Sequence, residues 1–253
     1  MKKIFLCLSV LLAGQAQAQT CIPTPDCAGL GYTETSCSGA FLRCPFDTSK
    51  MFCASSASGG GNSGGGATPE SGGCLVGMIY YSDGSCSRNV DSSKTAIGVV
   101  VVDNEIIISK PKSGTMPWST GRVDVSGVSN QGYDGDAKKD YIGKLNTAAI
   151  VAHFTSDTTS NNAAVYCNSY TTAGTSAGDW YLPAAGEIVD YVSGNYVTLA
   201  RAFSKLGVSI AGTFWSSSEI SSDRAWCVYS ANGVVGSQDK ITGNNLVICL
   251  LAL

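Results

Sequence analysis

The 253-residue sequence is poor in histidine and has no cluster of basic residues. It contains one histidine, 16 lysine and arginine residues and 19 aspartate and glutamate residues, which gives a formal net charge of −3. A chain without a basic stripe lacks the positive surface that phosphate backbones and anionic membranes attract, so we expect no nucleic-acid partner. A single histidine and the lack of paired C-x-x-C motifs also disfavour a metal cluster. We therefore expect no cofactor and no metal site.

Long hydrophobic runs are also missing after the N-terminus, where none approaches the roughly 20 apolar residues that cross a bilayer. The N-terminus itself is typical of a signal peptide: Lys2 and Lys3 precede the apolar residues 4–13, and small residues end at Ala18. Removal of Lys2 and Lys3 from the 16 basic residues leaves 14 against 19 acidic ones, a net charge of −5. We expect a protein without membrane insertion of the mature chain, secreted or at the cell surface, with the periplasm as the other exported location.

Cysteine is abundant, and its distribution predicts disulfide bonds. Ten of the 11 cysteines follow the signal peptide, and an even number in an exported chain favours disulfides over free thiols. The ten predicted disulfide cysteines are Cys21, Cys27, Cys37, Cys44, Cys53, Cys74, Cys86, Cys167, Cys227 and Cys249. Five lie on each side of a glycine-rich segment, so the two sides cannot both be internally saturated. Either one bridge joins Cys53 to Cys74, or each side keeps one thiol.

The glycine-rich segment, residues 54–73, separates two modules. It contains almost no residue that could be buried, which is typical of a flexible linker. Residues 19–53, after the signal peptide at residues 1–18, are too few to fold on a hydrophobic core alone and depend on disulfides. Residues 74–253 are enough for one globular domain.

Within the large domain, strands are predicted first, then helices, then strands again. Residues 96–102 and 106–108 form a predicted hairpin around Asp103-Asn104. A helix is predicted over residues 140–154, with an apolar face made of Ile142, Leu145, Ala149 and Ala152. A second helix follows Pro183 and resumes over residues 197–206. This order predicts an α+β fold class.

Three aromatic motifs carry a resemblance to a known family. They are Asp179-Trp180-Tyr181-Leu182-Pro183, Phe214-Trp215-Ser216-Ser217-Ser218-Glu219 and Ala225-Trp226-Cys227-Val228-Tyr229. In this order they resemble the Lcl C-terminal domain family of secreted bacterial proteins, over residues 74–253. The resemblance implies a C-type-lectin-like fold, with two helices and short, mostly antiparallel strands. It also implies binding of polysaccharide, including sulfated glycans, although a chain of net charge −5 should not attract sulfates strongly.

Motifs for catalysis or calcium binding are present only in incomplete form. Gly174-Thr175-Ser176-Ala177-Gly178 fits the G-x-S-x-G hydrolase pattern, but no helix is predicted after it, and His153 precedes the serine instead of following it. Asp134 and Asp136 alternate as in a calcium loop, yet lysines stand where a ligand and a glycine are needed. We predict that the protein is not an enzyme and has no catalytic residue.

Four residues are candidates for ligand binding. Trp118 follows Met116-Pro117 in a predicted loop, where its ring could stack on a sugar or contact another protein, although a ring packed into the core is the ordinary alternative. Tyr133 is another predicted exposed ring, and the polar loop from Glu219 to Arg224 joins two predicted strands.

Two functions are consistent with the sequence. The first is a bacterial adhesin that binds a glycan or a surface protein through the loops of the C-type-lectin-like domain. The second is a non-catalytic structural subunit of an envelope or appendage assembly, docked through the cysteine-rich module.

Overall fold

The computed structural model describes residues 73–253 in full and the backbone of four short strands before them. The chain divides into two units, Met1–Ala67 and Thr68–Leu253. In the first unit, strand β1 (Gln19–Cys21) pairs antiparallel with β2 (Thr35–Cys37), and β3 (Phe41–Cys44) pairs with β4 (Asp47–Cys53). The predicted signal peptide, the linker up to residue 72 and the five cysteine side chains before it lie outside the described residues.

The second unit contains two antiparallel sheets. The larger one has six strands in the order β6-β5-β7-β8-β13-β9, and the smaller one has the order β10-β11-β12. The strands are β5 (Ile79–Tyr81), β6 (Cys86–Ser87), β7 (Ala96–Val102), β8 (Ile106–Ile108), β9 (Trp180–Tyr181), β10 (Thr213–Glu219), β11 (Arg224–Tyr229), β12 (Val234–Asp239) and β13 (Leu250–Ala252). The predicted hairpin is confirmed: β7 and β8 pair, and Asn104 takes the left-handed conformation in the turn, with φ of 58°.

Five α-helical segments and one π-helical segment join these strands within residues 73–253. They are α1 (Asp134–Ala137), α2 (Gly143–His153), α3 (Ala163–Ser169), α4 (Ala185–Glu187), a π-helix (Ile188–Ser193) and α5 (Tyr196–Lys205). Mixed helices and antiparallel sheets confirm the α+β class. The C-type-lectin-like topology stays a prediction, and the helices are more numerous than the two predicted.

Two hydrophobic clusters pack on opposite faces of the sheets. Neighbouring residues of one strand point to opposite faces, and accordingly Val100 belongs to the first cluster and Val99 to the second. Helices α2 and α3 cover the first cluster through residues such as Ile150, whereas α4, the π-helix and α5 cover the second through residues such as Phe203. The domain is therefore a helix–sheet–helix arrangement with a core on each side.

The face that helix α2 buries differs from the predicted one. Leu145 is 66% exposed and Ile142 is 46% exposed, while Asn146 is fully buried. The amide of Asn146 donates to Oδ2 of Asp140 at 3.0 Å, and Thr147 donates to the carbonyl of Leu182 at 3.1 Å. The predicted inner face was wrong at Ile142, Leu145 and Ala152, which are exposed, whereas Ala149 is half-buried against the first cluster. The helix packs inward through Ile150 together with the hydrogen bonds of Asn146 and Thr147.

Two disulfides lie in the second unit, Cys74–Cys86 and Cys167–Cys249. They confirm four of the predicted disulfide cysteines. The predicted bridge between Cys53 and Cys74 is wrong, since Cys74 is bonded to Cys86. Cys227 is a free, buried thiol, contrary to its predicted pairing. Of the two predicted arrangements, the second unit therefore has the one in which each side of the linker keeps one free thiol, and that thiol is Cys227.

Candidate functional site

Trp118 lies in the core and is not an exposed platform. Its side chain is fully buried, and its indole N–H donates to the carbonyl of Ser216 at 2.8 Å. The ammonium of Lys240 lies 4.6 Å from the centre of the ring, and the edge of Phe154 contacts it at 6.5 Å between centroids. Trp118 lies outside the helices and strands, as predicted, but its ring is packed into the core, so the prediction that it binds ligand is wrong and the alternative of a core ring is confirmed.

Glu219 is also buried, at the end of strand β10. Its carboxylate forms a fully buried ion pair with Lys240 and accepts the N–H of Val125 at 3.2 Å. Burial raises the pKa of Glu219, while the Lys240 ammonium acts in the opposite direction. Strand β10 includes Glu219, which was predicted to begin the polar loop, so Glu219 is a structural residue and not part of an exposed loop. Trp118, Glu219 and Lys240 form one buried cluster that links the smaller sheet to the loop before helix α1.

The other two predicted ligand-binding residues are exposed but do not form a site with the first two. Tyr133 is 76% exposed and directly precedes helix α1. Arg224 begins strand β11, and its guanidinium donates to the carbonyl and the hydroxyl of Ser237 on the neighbouring strand β12. Tyr133 and Arg224 are thus accessible, but the guanidinium of Arg224 is already hydrogen-bonded to Ser237 of the same sheet.

The described residues also contain a groove that the sequence did not reveal. It has a volume of about 380 Å³ and lies where β5, the start of α2, the loop before β9 and the end of β13 meet. Its lining residues are Tyr80, Ser82, Gly84, Ile97, Lys144, Gly174, Thr175, Asp179, Leu251, Ala252 and Leu253. They come from distant parts of the chain and share no local motif, so no spacing in the sequence could have predicted them.

The groove brings an ammonium, a carboxylate, hydroxyls and an aromatic ring together. Within residues 73–253, neither Nζ of Lys144 nor the hydroxyl of Tyr80 makes a hydrogen bond to the protein. Asp179 accepts the N–H of Ser176 at 2.7 Å through one oxygen, which fixes the loop. The indole N–H of Trp180 donates to Thr175 at 3.0 Å and holds the same loop from below. The arrangement can exchange hydrogen bonds with a ligand rich in hydroxyl groups.

A second depression, of about 230 Å³, lies on the face of the smaller sheet. Thr213, Cys227, Tyr229, Val234, Gly236, Ser237 and Gln238 line it. Cys227 is 3% exposed, and burial raises the pKa of its thiol to about 11. Because the thiolate is the reactive form, a thiol with this pKa is a poor nucleophile. Cys227 is thus a packing residue at the floor of the depression.

The remaining sequence motifs form no reactive cluster. No group of three or more histidine, cysteine, aspartate or glutamate side chains is placed to hold a metal ion in the described part of the chain. Asp134 forms a surface ion pair with Lys138 at 3.2 Å. His153 ends helix α2 and packs against Phe154, with ring centroids 4.8 Å apart. Ser176 therefore has no histidine partner in the sense of a hydrolase triad.

Among the described residues, no helix has both the length and the apolar character that a membrane span requires.

Comparison with known proteins gives one likeness of fold. No protein-family model matches the chain, and no curated protein matches it. The crystal structure of a fimbrial protein from Bacteroides ovatus ATCC 8483 is similar, with a TM-score of 0.52 and 18% sequence identity, over 70% of this chain and 48% of that one. This chain thus spans about half the length of that protein. At this identity the similarity shows a shared fold, and membership of the Lcl C-terminal domain family stays a prediction.

Proposed function

We propose that this protein is a non-catalytic subunit of an extracellular appendage on a bacterial surface. The observation that carries the proposal is the fold shared with a fimbrial protein over 70% of this chain. Two disulfides in the described unit support an oxidising, extracellular location. The burial of Trp118 and Glu219 removes half of the ligand-binding residues predicted for an adhesin, which favours the structural role.

The experiment is fractionation of cells that produce the protein. Appendages are sheared from intact cells, sedimented, and probed with an antibody raised against residues 73–253. We expect the chain in the sedimented, high-mass fraction. Recovery only as a free monomer in the medium, with other appendage subunits sedimenting normally, would contradict the proposal.

A second candidate function, glycan binding, is favoured by the groove around Tyr80. Ligand pockets combine apolar or aromatic walls with a few polar groups that fix orientation, and this groove has both. Its lining carries one basic and one acidic residue, Lys144 and Asp179, so a neutral saccharide fits it better than a sulfated one. An adhesin role would therefore act through this groove and not through Trp118.

Binding to a glycan array tests this candidate. We expect Lys144→Ala to weaken any signal, and Lys139→Ala, at an exposed lysine outside the groove, to leave it unchanged. An array without signal for the folded protein would remove the candidate and leave the appendage role standing.

A further inference from the structure

Strand β12 is the long open sheet edge in residues 73–253. The two edges of the larger sheet are β6 and β9, which have two residues each. The outer side of β10 is occupied by Leu246, whose carbonyl accepts the N–H of Trp215 at 3.0 Å. Among the described residues, no strand pairs with β12 on its outer side. Unpaired edges are templates for pairing with another strand, and proteins usually shorten or cover them.

Half of this edge is closed by the protein itself. The backbone N–H of Lys240 donates to the carbonyl of Asp223 at 2.9 Å, so these two residues are a hydrogen-bonded pair. Along an antiparallel ladder only every second pair is hydrogen-bonded. The backbone groups of the alternate residues Val235, Ser237 and Asp239 therefore face away from β11. The carbonyl of Ser237 is taken by the guanidinium of Arg224. The carbonyl of Asp239 accepts the N–H of Gly243 at 2.9 Å. The open half of the edge is thus centred on Val235.

The side chains beside this open half form an apolar surface with a gap. Val234 is 58% exposed and Tyr229, its cross-strand partner, is 41% exposed. Next to them, Gly236 has no side chain, and the space where a side chain would stand is part of the depression on the smaller sheet. A Cβ atom at Gly236 would have Sγ of Cys227, at 3.9 Å, as its nearest neighbour. The gap can therefore accept an aliphatic side chain without displacing the protein around it.

We propose that β12 pairs with β12 of a second copy of this chain, antiparallel and with the two-fold axis at Val235. In this register Val234 of each copy lies opposite Gly236 of the other, and side chains at opposite positions share one face of the sheet. Each copy thereby fills the gap of the other with its exposed valine. An isologous contact needs such a self-complementary patch, which supplies both the projection and the recess.

Charge is compatible with this pairing. Residues 229–236 contain no charged side chain, so no like charges meet across the axis although the chain is acidic overall. Asp239 lies beyond the paired residues. One strand pair with two valines buries less than the roughly 1,000 Å² of a stable interface, so the association is reversible and weak. The pairing is independent of the appendage role, since it requires only the folded chain.

Sedimentation equilibrium of the full exported chain tests the pairing, over about 5 to 500 µM, a range suited to a small interface. We expect a monomer–dimer equilibrium for the wild type. Val234→Lys buries a charge without a partner at the axis and should raise the dissociation constant at least about tenfold. Gly236→Val fills the recess and should do the same. The matched control is Val197→Lys on helix α5, where the valine is 62% exposed, and it should leave the equilibrium unchanged.

Disulfide trapping tests the register, with the wild-type chain as the background for its own cysteines. In the proposed pairing the two Val235 residues form a hydrogen-bonded pair with Cα atoms about 5.5 Å apart, a separation that a disulfide spans. Val235→Cys should give a crosslinked dimer under mild oxidation. The two Ser237 residues would lie roughly 13 Å apart, so Ser237→Cys should give only background. A monomer at every concentration, a dimer insensitive to Val234→Lys, or equal crosslinking at both positions would overturn the proposal.

Discussion

Helices α2 and α5 lie on opposite faces of the sheets, and α2 buries polar side chains where α5 buries only apolar ones. Helix α5 buries Leu199, Ala202 and Phe203 and exposes Val197. Helix α2 buries Asn146 and Thr147 beside Ile150 and exposes Leu145. The inner face of helix α5 packs through hydrophobic contact alone, whereas α2 adds hydrogen bonds to Asp140, Ser217 and the chain before α4 to the contact made by Ile150. The apolar pattern placed Leu145 on the inner face of α2, and that prediction was wrong because polar side chains take the inner positions beside Ile150.

The largest expected effect on the free energy of unfolding is at helix α5, which packs through apolar residues. Phe203→Ala removes a fully buried ring from the second cluster and should lower the free energy of unfolding by about 3–5 kcal/mol. Val197→Ala, on the exposed face of the same helix, should change it by less than about 0.5 kcal/mol. Denaturant titration with the disulfides intact measures both. Similar losses for the two variants would contradict the assignment of the α5 faces.

The hydrogen bonds of helix α2 are tested by Thr147→Val, which keeps the shape of the side chain and removes its hydroxyl. That hydroxyl donates to the carbonyl of Leu182 and accepts its N–H at 3.0 Å. Two buried backbone groups would lose their partner, so the free energy of unfolding should fall by about 1–3 kcal/mol. An unchanged or higher stability in the same titration would show that α2 does not depend on this hydrogen bond.

A pH effect is expected where α2 begins. Glu187 is buried against Gly143, accepts the N–H of Ala184 at 2.7 Å, and has its pKa raised to about 8, mainly by burial. Because the folded state keeps the proton to a higher pH than the unfolded state, stability contributed by this group is complete below about pH 4.5 and is lost as the pH rises to about 8.

Glu187→Gln removes this titration and should flatten stability over that pH range. Thermal unfolding of the variant and the wild type from pH 4 to pH 9 compares the two slopes. Identical slopes would mean that Glu187 is ionised throughout, held by the N–H of Ala184 and the hydroxyl of Tyr181.

The smallest effect is expected at the position where the apolar pattern predicts a large one. Leu145 is 66% exposed, so Leu145→Ala should change the free energy of unfolding by less than about 0.5 kcal/mol. A loss of 2 kcal/mol or more, which is typical of a buried leucine, would restore the predicted inner face of α2.

Local chemistry explains which elements the sequence predicts. The β7–β8 hairpin follows from two β-branched runs around Asp103-Asn104, and α5 follows from its apolar spacing. Strand β12 was missed because Val234–Asp239 is half polar, as suits an edge. Trp118 was misplaced because its burial depends on Lys240 and Ser216, both about a hundred residues away along the chain. Long-range partners of this kind leave no local signal, and the same is true of the groove and of the free thiol at Cys227.

The appendage role is tested most directly by electron microscopy of intact producing cells labelled with a gold-conjugated antibody against residues 73–253. The account predicts gold along filaments that extend from the cell surface, and loss of that label when the gene is deleted. Gold confined to the cell body, on cells whose filaments are present and unlabelled, would contradict it.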